Sequence, residues 1–141
     1  MALALAHSAS AVCLNPDTFV SGYHVPLNAE VRSAMFIAVG TVIGAKPIQE
    51  DASDPDGVTA HLWSVKLTRQ LKGRAPRNII IRVENDSGRY LMSAGEEHLL
   101  FLTKEKGFYS VNSCGNSSSL ANGRAALQQV ETALREQRNA P

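Results

Sequence analysis

The four histidines are the side chains in this sequence best suited to bind a metal or move a proton. They are His7, His24, His61 and His98, and no two of them have the His-x-x-x-His or His-Glu-x-x-His spacing of a compact zinc site. His98 lies in a predicted strand, where we expect the ring to pack with a satisfied ring nitrogen. We therefore predict no metal ligands among them.

An acidic segment over residues 51–57 superficially suggests calcium binding, because it reads Asp-Ala-Ser-Asp-Pro-Asp-Gly. If Gly57 is placed at the sixth position of an EF-hand loop, Ala52 falls first and Trp63 twelfth, where carboxylates are required. The alignment therefore fails at both ends. We expect a solvated acidic loop.

Candidate groups for acid–base or nucleophilic catalysis are few. Glu96 and Glu97 are adjacent at the predicted start of a strand, where neighbouring side chains point to opposite faces and cannot share a proton. Cys114 is a nucleophile only if it is a free thiolate. No Gly-x-Ser-x-Gly, Cys-x-x-Cys or glycine-rich phosphate loop is present. We predict no enzyme, with no catalytic residues, no cofactor and no metal.

The charge balance argues against nucleic-acid binding. The 141 residues suit one domain, and 14 basic residues against 13 acidic ones leave a net charge of +1 without a basic stripe. A base-stacking platform is conceivable from four aromatic residues, but we expect them to pack in the core, because Trp63 alternates with core residues and an exported protein meets no nucleic acid. These residues are Trp63, Tyr90, Phe101 and Tyr109.

The first eleven residues combine a short apolar run with an Ala-Ser-Ala ending. This pattern is typical of a signal-peptide remnant and its cleavage site, and the alternative is a disordered or helical alanine-rich segment. The run is shorter than the ~20 residues of a membrane-spanning helix, so we predict no membrane span. We expect a secreted or periplasmic protein.

The cysteine pair has one possible connectivity. Cys13 and Cys114 are the two cysteines, and an even count in an exported protein favours a disulfide. The alternative is two buried free thiols in a cytosolic protein. The signal-like start favours the bond.

Five strands joined by polar turns are predicted, without strand–helix alternation. The period-2 pattern of a half-buried strand is formed by Trp63, Val65 and Leu67, which alternate with polar residues. A third strand is predicted where Ile79, Ile81 and Val83 alternate with Ile80, Arg82 and Glu84. The almost continuously apolar run 35–45 favours a strand over a buried helix because it is rich in β-branched residues. In the run 98–103 the lack of polar alternation indicates burial on both faces. The fifth strand covers 108–114, and residues 46–57 form a loop. We predict an all-β protein with accessory helices, its strands closed into a small barrel.

Two helices are predicted outside the strands. A short one covers 26–32, where Asn28 is positioned to cap it. A C-terminal amphipathic helix covers about 120–136, and its apolar stripe must pack against the barrel. On its outer face Glu131 and Arg135 have the spacing of an intrahelical ion pair. The apolar stripe contains Leu120, Leu127, Val130 and Leu134.

Four spaced fragments carry a family resemblance. They are Val-Gly-Thr-Val at 39–42, Leu-Lys-Gly at 71–73, Gly-Glu-Glu-His-Leu-Leu-Phe-Leu at 95–102 and Ser-Cys-Gly at 113–115. In this order the chain resembles the tissue-inhibitor-of-metalloproteinase/netrin-like (TIMP-like, NTR-like) family. The resemblance implies a single OB-fold domain over 12–138, with a five-stranded closed barrel at about 34–115. It also implies a bond from the N-terminal segment to the end of the fifth strand, which Cys13 and Cys114 match.

The chain departs from that family where the animal inhibitors bind protease zinc. Those inhibitors begin with a cysteine, whereas a cut after Ala11 leaves Val12 first, and their further cysteines have no counterpart here. We therefore expect a microbial exported relative that acts as a non-catalytic, monomeric protein-binding module with an unidentified protein partner. Loops 46–57 and 85–94 are the candidate contacts. The alternatives are metalloprotease inhibition by a non-standard edge, or a small ligand-binding protein or enzyme with a hidden site.

Overall fold

The computed structural model describes residues 13–54, 57–86 and 88–141. The predicted signal-peptide remnant at 1–11 lies outside these residues. Within them, no helix combines the length and the apolar character needed to cross a membrane.

Two helices and six strands follow one another within the described part of the chain. Helix α1 covers Leu27–Ser33, and helix α2 covers Leu120–Asn139. The strands are β1 (Phe36–Ile48), β2 (Ala60–Lys72), β3 (Asn78–Glu84), β4 (Glu97–Glu105), β5 (Phe108–Val111) and β6 (Ser118–Ser119). The protein is therefore mainly β, with one long C-terminal helix.

Strands β1 to β5 close into a five-strand hydrogen-bonded ring. The order is β1-β2-β3-β5-β4, and β4 pairs back with β1. Val39 of β1 lies opposite Arg69 of β2 and Leu99 of β4, so β1 is paired on both sides. The ring closes through one parallel pair, Ile81 with Tyr109, while the other ring contacts are antiparallel. Strand β6 adds to β4 outside the ring.

Strand β1 bends as it passes from one neighbour to the other. Its register with β2 shifts at three places, one of them between Val39 and Gly40. The strand runs to Ile48, so the loop predicted from residue 46 begins later. Pairing of Pro47 with His61 accounts for the extension, because β2 supplies a partner that no local pattern reveals.

The apolar residues form two clusters on opposite faces of β1 and β4, which explains why both strands are almost continuously apolar. The ring cluster comprises Ala38, Val42, Val65, Leu67, Ile79, Ile81, Val83, Met92, Leu100, Leu102 and Tyr109, with Trp63 and Tyr90 packed against it. The helix cluster comprises Val31, Ala34, Ile37, Val39, Leu99, Phe101, Leu120, Val130 and Ala133. The core packing expected of the four aromatic residues is confirmed.

Helix α2 packs on the ring as predicted, through Val130 and Ala133, with Leu127 and Leu134 half-buried beside them.

The predicted ion pair between Glu131 and Arg135 on the outer face of α2 is wrong. Glu131 bonds Arg69 of β2 at 2.8 Å, because β2 brings a guanidinium within reach. Arg135 instead donates to the Thr132 hydroxyl.

The remaining differences concern the ends of elements. Helix α1 is present, but Asn28 does not cap it, because the helix begins at Leu27 and Pro26 occupies the cap position. Strand β5 ends at Val111 rather than at residue 114. A turn with the Gly115 N–H bonded to the Asn112 carbonyl follows it, and this turn delivers Cys114 to its partner.

Candidate functional site

The Cys13–Cys114 disulfide attaches the N-terminal segment to the turn after β5. The sequence predicted this bond. Two backbone hydrogen bonds reinforce it: the Tyr23 N–H donates to the Cys13 carbonyl at 2.9 Å, and the Val25 N–H donates to the Cys114 carbonyl at 3.0 Å. Residues 13–25 are thus fastened at both ends to one point on the ring.

Between these attachments the chain forms a compact loop with an aromatic tip. Leu14 and Ser21 form an isolated antiparallel bridge. The Asn15 side chain accepts a hydrogen bond from the Asp17 N–H at 2.8 Å, and the Phe19 N–H donates to the Asn15 carbonyl at 2.8 Å. Phe19 has a φ of 57° and is 74% exposed. A bulky side chain rarely adopts this left-handed conformation, so the loop imposes it.

A buried carboxylate fixes the base of this region. Glu30 of α1 accepts hydrogen bonds from the backbone N–H and the side-chain amide of Asn116, each at 2.6 Å. The Asn116 amide also donates to the Val25 carbonyl at 2.9 Å. Glu30 thereby joins α1, the N-terminal segment and the turn after β5. Sequence reasoning missed this role, since Glu30 resembles any helical surface glutamate.

His98 is the centre of a second polar network. Its ring is 2% exposed, and both nitrogens are bonded: Nδ1 to the Tyr90 hydroxyl at 2.7 Å and Nε2 to the Glu96 carboxylate at 2.8 Å. A neutral ring protonated at Nε2 satisfies both partners, because it donates to Glu96 and accepts from Tyr90. The predicted satisfied histidine is confirmed. Glu96, an exposed residue directly before β4, is its partner.

The pKa values of the two partners shift for identifiable reasons. The hydrogen bond from His98 holds the pKa of the Glu96 carboxyl below its usual range. Burial, and then the nearby charge of Glu96, raise the pKa of the Tyr90 hydroxyl. The hydroxyl therefore stays protonated and serves as a hydrogen-bond donor to His98. This arrangement is suited to fastening a loop, since the network satisfies its own donors and acceptors.

The loop that this network fastens presents a second exposed apolar side chain. Tyr90 is tied to His98, and Met92 is buried in the ring cluster, yet Leu91 between them is 71% exposed. Farther along, the Gly95 N–H donates to the Val42 carbonyl at 2.8 Å. Leu91 is thus held outward by anchors on both sides.

The segment that carries Leu91 lies beside the turn to which the N-terminal loop is attached. Leu91 and Ser113 line one open cavity of about 420 Å³, and Ser113 precedes the cysteine that holds the N-terminal loop. We call the exposed set Leu14, Phe19, Val20 and Leu91 the apolar edge.

A larger cavity of about 570 Å³ opens between β3 and β5, beyond their single paired position. Tyr90 and Phe108 contribute aromatic surface to it. Its charged lining is balanced, with three basic and three acidic side chains. These are Arg82, Arg89 and Lys106 against Glu84, Asp86 and Glu105.

The other chemistry-bearing residues do not converge. Within residues 13–54, 57–86 and 88–141, no three His, Cys, Asp or Glu side chains form a group able to hold a metal ion. His24 bonds the Val25 carbonyl, and His61 lies half-buried in β2. Asp51 accepts hydrogen bonds from the backbone and hydroxyl of Ser53, which hold the pKa of its carboxyl below the usual range. His7 lies outside the described residues.

No protein-family model matches this chain. A search of curated proteins also finds no match. The family resemblance therefore stays a prediction.

Proposed function

We propose that this chain is a non-catalytic protein-binding module of an oxidising, extracytoplasmic compartment, and that it binds its partner through the apolar edge. The observation that carries the proposal is the conformation of Phe19. An aromatic side chain that is 74% exposed and held in a left-handed backbone conformation costs folding free energy. A binding role accounts for that cost.

The scaffold proposed for this function is an OB-type barrel, and the chain is proposed to be an exported TIMP-like or netrin-like relative. The ring order β1-β2-β3-β5-β4, closed by β1–β4 pairing, supports the barrel. The disulfide from the N-terminal segment to the turn after β5 supports the relationship. It is also consistent with an oxidising location, where disulfides persist.

Preorganisation is the physical advantage of the apolar edge. Binding costs conformational entropy when loops and side chains become ordered, and anchored loops have already met most of that cost on folding. The disulfide and the Asn15 hydrogen bonds anchor Phe19, and the His98 network anchors the segment that carries Leu91. Aromatic residues at the centre of an interface carry much of its binding energy.

Replacing the two outermost side chains tests the proposal. Phe19→Asn retains a residue that tolerates the left-handed conformation, and Leu91→Asn removes the second apolar group. Ile43→Thr is the matched control, because Ile43 is an exposed apolar residue of β1 outside the apolar edge. Each protein is used as bait in the native exported fraction. We expect a partner to be recovered with wild type and control and lost with the double variant; equal recovery, or none, would overturn the proposal.

The cavity between β3 and β5 favours a second candidate function, the binding of a small molecule. Its volume of about 570 Å³ lies within the range of ligand sites, and it combines aromatic surface with charges of both signs. A small zwitterion with an apolar body would suit it. Native mass spectrometry of the exported protein should then show a bound species that Phe108→Ala removes. An unloaded wild-type protein would count against this candidate. Metalloprotease inhibition by a non-standard edge is a special case of the first proposal, in which the protease is the partner of the apolar edge.

A further inference from the structure

A cleft on another part of the surface concentrates positive charge. It has a volume of about 300 Å³ and lies between β2 and the second half of α2. Its lining consists of Arg69, Gln70 and Leu71 from β2, and Glu131, Leu134, Arg135 and Arg138 from α2. Three guanidinium groups against one carboxylate give the cleft a net charge of +2, whereas the whole chain carries +1.

The positive charge of the cleft is only partly neutralised. Glu131 is paired with Arg69 at 2.8 Å. Arg135 donates to the Thr132 hydroxyl at 3.3 Å, and among the described residues neither Arg135 nor Arg138 has a carboxylate partner. The Gln70 amide is already used, since it donates to the Ala75 carbonyl and accepts from the Ala75 N–H. Two guanidinium groups therefore keep most of their donors available.

The helix terminus alone does not account for this arrangement. Cations are favoured near the C-terminal end of a helix, which explains Arg138 in the last turn of α2. Arg69 belongs to a strand, however, and the cleft brings it to the same place as the two helical arginines. The three guanidinium groups line the cleft together with Leu71 and Leu134. Their positive charges repel one another unless an anion lies between them.

We propose that this cleft binds a phosphate group. Guanidinium groups match the oxygens of phosphate with paired hydrogen bonds, better than a lysine ammonium does. A phosphate monoester carries about −1.5 to −2 charges at neutral pH, which complements a cleft of net charge +2. A single carboxylate would leave positive charge uncompensated. The Glu131 carboxylate orients Arg69, while Arg135 and Arg138 supply the free donors. This inference is independent of the proposed protein-binding function.

The test compares two doubly substituted proteins of equal net charge. Arg135→Gln/Arg138→Gln removes the free donors, while Arg74→Gln/Arg124→Gln removes two exposed arginines that do not line the cleft. Binding of inorganic phosphate is measured by calorimetry at constant ionic strength, with chloride as the balancing anion. Loss of charge-assisted hydrogen bonds should weaken phosphate binding about tenfold or more in the first variant only. Equal weakening in both variants, or no phosphate binding by the wild type, overturns the proposal.

A second arm of the experiment distinguishes the source of the phosphate group. Phosphatidylcholine vesicles with and without phosphatidic acid are sedimented with the wild-type protein and both variants. If the wild-type protein sediments only with vesicles that contain phosphatidic acid, and the Arg135→Gln/Arg138→Gln variant does not, the ligand is a lipid headgroup. Phosphate binding without vesicle retention identifies a free phosphate or a soluble phosphate ester. Vesicle retention that survives in the first variant places the anion elsewhere and counts against this cleft.

Discussion

The carboxylate of Glu30 occupies the space in which a side chain at Gly115 would have to lie. A β-carbon built at Gly115 would collide with the Glu30 Oε1 atom, and the Glu30 Oε2 atom accepts two hydrogen bonds from Asn116. The glycine thus lets a buried carboxylate approach the backbone of the turn that carries Cys114. This contact joins α1 to that turn, across 86 positions of sequence.

Glu30→Gln should destabilise the protein by about 1–3 kcal/mol, because both Asn116 donors bond one oxygen of a carboxylate, and the oxygen of a neutral amide would form weaker hydrogen bonds than these charge-assisted ones. Urea unfolding monitored by circular dichroism measures the change. Glu136→Gln, at an exposed position of α2, is the control and should stay within about 0.5 kcal/mol of wild type. A Glu30→Gln protein as stable as the control would show that the contact contributes nothing to folding.

Gly40→Ala and Gly44→Ala should have different effects on stability, although both lie in β1. A β-carbon at Gly40 would lie 2.7 Å from Val65 Cγ1 and 3.3 Å from the Lys66 carbonyl oxygen, whereas one at Gly44 would meet nothing within 4 Å. We expect Gly40→Ala to destabilise by about 1–3 kcal/mol through overpacking. Gly44→Ala should be neutral or slightly stabilising. Chemical unfolding of both proteins checks the contrast, and equal effects would contradict it.

Val130→Asp should destabilise the protein by about 3 kcal/mol or more, because Val130 is fully buried in the helix cluster and the new carboxylate would have no partner there. Val130 is a sharper probe than Leu127, which is only half-buried. Gln128→Asp introduces the same charge on the exposed face of α2 and serves as the control. Thermal unfolding decides the matter: equal melting temperatures would mean that α2 does not depend on this packing.

Acid should weaken the protein partly through Glu96. Its folded-state pKa is lowered by the hydrogen bond from His98. A lowered pKa contributes stability that is fully present above the unfolded-state value, about 4.3 for glutamate, and is lost as the pH falls through the folded-state value. Unfolding free energies measured between about pH 6 and pH 3 should therefore fall less steeply in Glu96→Gln than in wild type.

Glu97→Gln is the matched control for this pH dependence, since Glu97 is the neighbouring exposed carboxylate at the start of β4. It should retain the wild-type slope. If Glu96→Gln and Glu97→Gln have the same slope, the hydrogen bond to His98 does not couple folding to pH.

Reduction of the disulfide should loosen the N-terminal loop before the ring. The Cys13–Cys114 bond closes a loop of 101 positions, and the chain-entropy treatment assigns such a loop a stabilisation of about 4–5 kcal/mol. Amide hydrogen exchange of Cys13→Ser/Cys114→Ser should accelerate over residues 13–25, while β1 and β4 stay protected. Faster exchange throughout the ring would contradict the prediction that the N-terminal loop loosens first. Unchanged exchange at 13–25 would show that the disulfide is not the main tether of this loop.

Local patterns predicted the strands well because side-chain burial in a strand repeats every two residues. Val65 and Leu67, like Ile79 and Ile81, are buried in alternation with exposed neighbours. The near-continuous apolar run of β4 correctly indicated two buried faces. The C-terminal helix was equally visible, because its apolar residues recur with a helical period. Each of these features depends only on residues close together in sequence.

Long-range contacts were not visible in the same way. Strand β6 is two residues long and exists because β4 offers it a free edge. Arg69 pairs with Glu131 across 62 positions, in place of the predicted pair within α2. The sequence does not show which acidic residue a surface arginine will contact. The packing of α2 on β2 brings Glu131 to Arg69.

The sequence by itself determined the mainly β character, the C-terminal helix, the disulfide partners and the buried, hydrogen-bonded state of His98. These follow from periodicity, from the single possible pairing of two cysteines and from the cost of burying an unsatisfied ring. Tertiary structure alone decided that Phe19 and Leu91 are held outward, that Glu30 lies against Gly115, and that three arginines share a cleft. Those relationships join distant segments, and their energies arise only once the ring and α2 have packed together.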